Sequence, residues 1–376
     1  MLYPHLGERI NAFIQKNTVV LVAFAAALIT SFIVPVDKAY IDYFDFKTLT
    51  CLFCVLAVVC ALKNVNFFYI LAQKIVQRFR NARLAVLALV YITFIGSMLI
   101  ANDMALLTFL PLGYFVLSTT KKERYMAFTY IMQNIAANLG GMLTPFGNPQ
   151  NLYLYSKFNI PDLEFMQIML PPFLFAVTLI TLCCIIFVKP DPLEISDKKT
   201  ALPPVRTTLY LLLFALSIAI VFRGIPYWIG LIVIPIVLLF MDRKALGMVD
   251  YSLLLTFVFF FIFSGNMARI DAVRNFFSTL LQKSTLLVSV LSCQVISNVP
   301  TAVLMSRFTS NYADLLLGVN IGGVGTLIAS LASLITYREY VNKNPGKTKR
   351  YVLLFTAYNF AFLILLTGFV TVINLI

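Results

Sequence analysis

Residues 84–118, "LAVLALVYITFIGSMLIANDMALLTFLPLGYFVLS", carry a single charge, Asp103. A run of this length belongs in a bilayer, yet it is too long for one comfortable crossing and too short for two. The polar break "IAND" lies midway, and backbone freed there must be satisfied by protein or by water. These constraints predict a re-entrant helical hairpin. A second hairpin is predicted over 284–316, where "ISNVPT" interrupts an equally apolar run.

The rest of the chain has the same character. It is 60% hydrophobic and 12% charged, where an ordinary soluble domain has about 25% charged residues. Apolar spans are expected near 18–36, 48–62, 126–155, 164–188, 207–222, 226–241, 250–265, 317–338 and 351–376. The fold class is therefore an all-α polytopic membrane protein with about nine transmembrane helices plus the two hairpins. The first 17 residues lack a short apolar core with a small-residue cleavage site, so the first span is expected to act as its own insertion signal. All six cysteines lie in apolar stretches, where thiols behave as small hydrophobes, and Cys51-x-x-Cys54 reads as packing. The only histidine is His5, in the polar N-terminal segment, which argues against histidine-based metal or triad chemistry within the membrane. No cofactor is expected.

Charge sets the topology. If each hairpin returns to the side it entered from, one face collects 21 of the 29 Lys and Arg residues, from the N-terminus, 63–83, 121–124, 189–206, 242–244 and 338–350. The positive-inside rule then places the N-terminus in the cytoplasm and the C-terminus outside a cytoplasmic membrane. The net charge of +13 is spread over these loops and is a topology signal rather than a nucleic-acid footprint.

The Pro-rich linker 189–206 divides the chain into 1–188 and 207–376. Setting Asn138 over Asn320 aligns "NLGGMLTPFGNPQNL" with "NIGGVGTLIASLASL", pairing Gly140-Gly141 with Gly322-Gly323 and Thr144 with Thr326. Asn102 and Asn298 match at the hairpin breaks. Each half thus holds a hairpin followed by a broken span, and the predicted topology makes the two copies inverted repeats with discontinuous helices. This is a construction of secondary transporters, with binding sites near the midplane. Half-helix N-termini attract an anion there, while unwound carbonyls attract a cation such as sodium. Asp103 is the one charge at a break, and an intramembrane carboxylate marks a functional site, as cation ligand, proton carrier or both. An N-cap role also suits it. Arg269, Arg274, Arg307 and Asp314 read as loop charge, the alternative being an Arg-lined outer vestibule that attracts anions.

The segments "MLIANDMALLTFLPLG", "VISNVPTAVL" and "NIGGVGTLIASLASLI" resemble the ion transporter superfamily of arsenite permeases, NhaD-type sodium/proton antiporters and divalent-anion:sodium symporters. The arsenite-permease branch is the most similar, particularly its small bacterial anion permeases. The resemblance implies a transport domain of two hairpins and two broken helices moving in an elevator-like way against a dimerising scaffold, hence a homodimer. Symporter hairpin tips carry Ser-Asn-Thr; here Ala101-Asn102-Asp103 and Ser297-Asn298-Val299 stand in their place. Sodium-type positions match at Ser97, Asn102 and the Gly140 region, whereas Cys293 replaces a hydroxyl in the second half.

The expected function is secondary transport of a small anion or oxyanion coupled to Na+ or H+, not enzymatic catalysis. The alternative is a sodium/proton antiporter in which Asp103 alternates between its two ions. Substrate contacts are expected from Asn102, Asp103, Ser297, Asn298, Thr144, Asn148, Asn151, Thr326 and Ser330. Coupling-cation contacts are expected from Ser97, Asn102, Asp103, Asn138, Gly140, Asn298, Asn320 and Gly322. A hydrolase would need a nucleophile and base, and Asp103 has no second carboxylate near it in sequence.

Overall fold

A computed structural model describes residues 6–193 and 202–373, with side chains from residue 18 onward. Residues 194–201 of the linker and the two extreme termini lie outside the described residues. The described chain is helical with no β-strand, as expected of backbone that must hydrogen-bond within itself in hydrocarbon.

In the first half, α1 (Leu6–Ile33) leads to α2 (Phe46–Asn64) and a short α3 (Phe67–Val76). The predicted hairpin is α4 (Ala82–Ile100) and α5 (Asn102–Thr119), separated by Ala101 alone. The predicted broken span is α6 (Met126–Gly140) and α7 (Pro149–Lys157), and α8 (Asp162–Phe187) closes the half. The second half begins with α9 (Pro204–Val221), α10 (Tyr227–Met241), a one-turn α11 (Arg243–Gly247) and α12 (Tyr251–Arg269). It continues with α13 (Asp271–Lys283) and a hairpin of α14 (Thr285–Ile296) and α15 (Asn298–Met305). The broken span of α16 (Tyr312–Ile321) and α17 (Leu331–Lys343) follows, and then α18 (Thr348–Ile373).

Six unbroken helices among the described residues are long and apolar enough to cross a bilayer: α2, α4, α8, α9, α12 and α18. Three expectations change in detail. The second hairpin ends before residue 316, because Asn311 caps α16 by accepting from the Asp314 backbone N–H at 3.2 Å and so starts the broken span at Tyr312. The stretch read as loop at 63–83 contains α3. After α12 the chain forms α13, which meets α14 at a bend of 119°; both α3 and α13 are too short or too polar to register as spans.

The loops gather into two clusters. In one, Asp191 accepts the Ala82 backbone N–H through its own carbonyl at 2.8 Å, pairs with Arg124 and accepts the Tyr125 hydroxyl at 3.0 Å. Both ends of the first hairpin therefore meet at one residue. The Arg124 guanidinium holds the Asp191 carboxyl below the usual carboxylate range. In the other cluster, Arg269 bonds Asp37 at 2.7 Å and the Tyr43 hydroxyl at 3.1 Å, and Arg307 donates to the Tyr43 carbonyl at 2.7 Å. Phe308, just past α15, stacks on Phe277 of α13 with ring centroids 5.1 Å apart. The second hairpin thus opens into this cluster.

Helix α2 is tied at both ends. Its cap Asp45 accepts from Ser156 at 3.4 Å. Its last residue Asn64 donates to Asp242 at 3.0 Å. With 19 residues at about 1.5 Å each, α2 is roughly as long as a bilayer core is thick.

Cysteines placed at Lys121 and Arg243 are expected to react with a membrane-impermeant thiol reagent from one side of sealed vesicles, and cysteines at Asp37 and Asp271 only from the other. Mixed-side labelling within either pair would contradict this arrangement.

Candidate functional site

Each hairpin turns on one residue of unusual backbone. Ala101 has φ 67° and ψ 152°, and Ser297 has φ 73° and ψ 159°. This region is strained for any residue with a side chain, at about 1–3 kcal/mol. The strain is the same at both tips. In each case the following asparagine caps the second arm: Asn102 accepts from the Asp103 N–H and Asn298 from the Val299 N–H, both at 2.9 Å.

The correspondence continues into the broken spans. Thr144 donates to the carbonyl of Met98 at 2.8 Å, and Thr326 to that of Gln294 at 3.0 Å. Asn138 donates one turn back to Asn134 at 3.1 Å, and Asn320 to Leu316 at 2.8 Å. A Cβ on Gly140 would meet Ser97 Oγ at 2.7 Å, and one on Gly322 would meet Cys293 Sγ at 2.8 Å. Thus the glycines are needed where hairpin and broken span press together, and the two halves share one internal geometry.

The halves meet through asparagines. Asn148 donates to the Asn138 carbonyl at 3.2 Å and to Asn320 Oδ1 at 3.3 Å. Asn320 in turn donates to Asn151 Oδ1 at 2.6 Å. Asn102 donates to Asn138 Oδ1 at 3.2 Å. The point that a Cβ on Gly323 would occupy lies 3.1 Å from Asn298 Nδ2 and 3.5 Å from Asn138 Oδ1. All of these asparagines are buried. They form one polar centre, fed by both hairpin tips and both breaks.

Beside it is a cavity of about 70 Å³. Its wall includes Ala101 and Asp103 at the start of α5, Pro149 at the start of α7 and Leu331 at the start of α17. Three helix N-termini therefore border one small space. Each such terminus acts as about +0.5 charge. Several oxygens in and around the centre are buried without partners: Asp103 Oδ1, Asn148 Oδ1, Gln150 Oε1 and Ser333 Oγ. A buried polar atom left unpaired costs free energy, and a ligand, proton or water would relieve it.

Of the residues singled out from sequence, Asn102, Asn138, Asn148, Asn151, Asn298 and Asn320 come together. Asp103 faces the cavity. Ser330 caps α17 by accepting the Ala332 N–H at 3.2 Å, and Ser297 turns to the Ala329 carbonyl at 3.3 Å. The hydroxyls of Ser97, Thr144 and Thr326 are donated to backbone carbonyls, Ser97 within its own helix and the two threonines from the broken spans to the hairpins. Gly140 and Gly322 are contact points. Arg269 and Arg274 are paired with Asp37 and Asp271.

Two residues escaped sequence reasoning. Asp250 caps α12 by accepting the Leu253 N–H at 3.0 Å and is the second carboxylate on the cavity wall. Gln294 is an amide inside the second hairpin, four residues before Asn298, and that placement was a usable signal.

The chain is similar to known transport proteins. A family described as CitMHS, citrate transporter, matches residues 10–336. An uncharacterised transporter of Methanocaldococcus jannaschii is 34% identical over 300 residues, covering 78% of this chain and 81% of that protein. Inner membrane protein YbiR of Escherichia coli is 28% identical over 320 residues, covering 82% and 84%. The silicon efflux transporter LSI3 of Oryza sativa subsp. japonica is 28% identical over 163 residues, covering 43% of this chain and 33% of that protein.

Gly140→Ala is expected to destabilise the protein by about 1–3 kcal/mol, the usual range for forcing a methyl group into a packed contact. Gly247→Ala, with nothing within 4 Å, should not. Thermal unfolding of the two variants side by side checks this.

Proposed function

The chain belongs to the CitMHS citrate-transporter family, and from that premise we propose that it moves a small anion or oxyanion across the cytoplasmic membrane, coupled to Na+ or H+. It is a membrane transporter, not an enzyme. The observation that carries the anion reading is the cavity bordered by the first turns of α5, α7 and α17. Converging positive helix ends favour negative charge, and low dielectric strengthens the attraction.

The shared geometry of the two halves supports an inverted repeat whose hairpins close a central site from alternate sides. The hairpins open into different loop clusters, which fits alternating access. In this reading they and the broken spans move together, elevator-like, against the remaining helices of a homodimer. The basic loop cluster faces the cytoplasm, as the positive-inside rule requires, with the N-terminus on the same side. Asn102, Asp103, Ser297, Asn298, Asn148 and Asn151 contact the substrate as the network opens, while Thr144, Thr326 and Ser330 hold the breaks in shape.

A second reading is a sodium/proton antiporter. It is favoured by one observation, the unpartnered Asp103 Oδ1. Proton flux driven by sodium with no added anion would distinguish it.

A thermal-shift screen of the purified protein against citrate, phosphate, arsenate and other small oxyanions tests the main reading. A ligand at 100 times its Kd is expected to stabilise by about 2.7 kcal/mol. Asn148→Ala and Asn298→Ala should weaken the response about 10- to 100-fold, the loss of one hydrogen bond to a charged group. If sodium alone stabilises the protein and no anion does, the antiporter reading prevails.

A further inference from the structure

In the topology proposed above, 21 of the 29 Lys and Arg residues belong to the basic face and the other eight lie opposite, where the positive-inside rule gives no reason for them. Four of these gather where α2 begins and α7 ends: Lys47, Lys157, Arg223 and Arg307. Ser156, next to Lys157, bonds Asp45 at 3.4 Å and joins the two helix ends. Arg223, just past α9, donates to the Tyr155 carbonyl at 2.9 Å, its guanidinium carbon 4.1 Å from the centre of the Tyr155 ring. Arg307 reaches the Tyr43 carbonyl from the other side of the junction, and Ser306 before it bonds the Tyr153 hydroxyl at 2.8 Å. Lys47 interacts electrostatically with Arg223 and Asp45, and Lys157 with Arg307 and Asp45.

These cations are not neutralised. Asp45 is the one carboxylate among them, and it is engaged with the Thr48 N–H at 2.9 Å and the Thr48 hydroxyl at 2.6 Å. Asp162 accepts the Tyr155 hydroxyl, and Asp42 is exposed. Among the described residues none of the four cations forms an ion pair. Tying two elements together accounts for one bond per arginine, yet a guanidinium has five N–H donors. Arg223 Nε and Arg307 Nε are both buried without a partner, and a buried charged donor left unpaired is costly. Arg223 also holds a backbone φ of 63°, a conformation that favours glycine.

We infer that Lys47, Lys157, Arg223 and Arg307 form an outer anion-binding site, which receives a small oxyanion or carboxylate at the mouth of the second hairpin before it reaches the asparagine centre. This rests on the transporter reading above. Guanidinium forks match the paired oxygens of such ligands, and ammonium groups add point charge with rotatable donors. Four cations against one carboxylate raise the local concentration of anions. A ligand oxygen also supplies the acceptor that each buried Nε lacks.

The test uses the full-length protein with Ser156→Cys, whose thiol reports the local potential through two methanethiosulfonates, one bearing a sulfonate and one a trimethylammonium group. Wild-type protein, with its own six cysteines, is the blank. Relative to a free thiol in solution, the sulfonate reagent should be favoured by about 10-fold or more, and it should reach the thiol from the side opposite a cysteine at Lys121. Adding Arg223→Gln and Arg307→Gln should return the ratio to that of the free thiol. Potassium phosphate or potassium citrate should slow the sulfonate reagent more than potassium chloride at matched ionic strength, and should lose this effect in the Gln variant. Should that variant fail to fold, Lys47→Gln with Lys157→Gln takes its place. An unbiased reagent ratio, protection by neither anion, or labelling from the cytoplasmic face would each overturn the inference. The labelling needs no transport, so a failed anion screen of the central site and a failed outer site are distinguishable.

Discussion

Backbone polar groups in hydrocarbon must find partners, and this requirement organises the whole centre of the molecule. Breaking four helices in one place frees many N–H and C=O groups at once. A lone break would be costly; converging breaks satisfy one another. Asn148, Asn320 and Asn151 do this across the halves, each spending its amide on a carbonyl or on the next asparagine. Even the strained tips at Ala101 and Ser297 persist because capping asparagines and neighbouring turns hold them.

The same requirement leaves a residue of function. Not every group is matched, and the unmatched oxygens lie in and around the centre. The cavity next to them is small and mostly apolar, so the helix ends that border it act with little screening. Two opposite tendencies therefore share one space: helix N-termini that draw an anion, and carboxylates that oppose it unless neutralised. A group that must be neutralised before an anion can enter is a physical basis for coupling. It would require no long-range communication, because the carboxylates and the helix ends border one cavity.

Much of this architecture could be read from the sequence, because a membrane restricts the alternatives. The breaks at Asn102, Asn298, Gly140 and Gly322 were visible as polar or helix-hostile residues in apolar runs. Their pairing followed from alignment of the halves, and the pairs Thr144/Thr326 and Asn138/Asn320 make equivalent bonds. What escaped had weaker physical signals. Helices α3 and α13 are not apolar spans, and the start of α16 rests on a local cap at Asn311. Asp250 lies far from Asp103 in sequence, and only the packing of α12 against the core brings it to the same wall. Ser97 and the two threonines have the polarity expected of ligands, and in this structure their hydroxyls bond to carbonyls of the hairpins.

The halves share a backbone but not a chemistry. Position by position, Ala101-Asn102-Asp103 is matched by Ser297-Asn298-Val299, and Met98 by Gln294. The first half thus places a carboxylate at its tip and leaves its hairpin amide-free, while the second has the amide and no carboxylate. Here the Gln294 amide of the second hairpin donates to the carbonyls of Gly322 and Val324, a role for which the first hairpin has no amide at the matching position, Met98. The two halves thus keep one backbone geometry at their tips and breaks while filling it with different polar groups, so a substitution at one tip is not equivalent to the same substitution at the other.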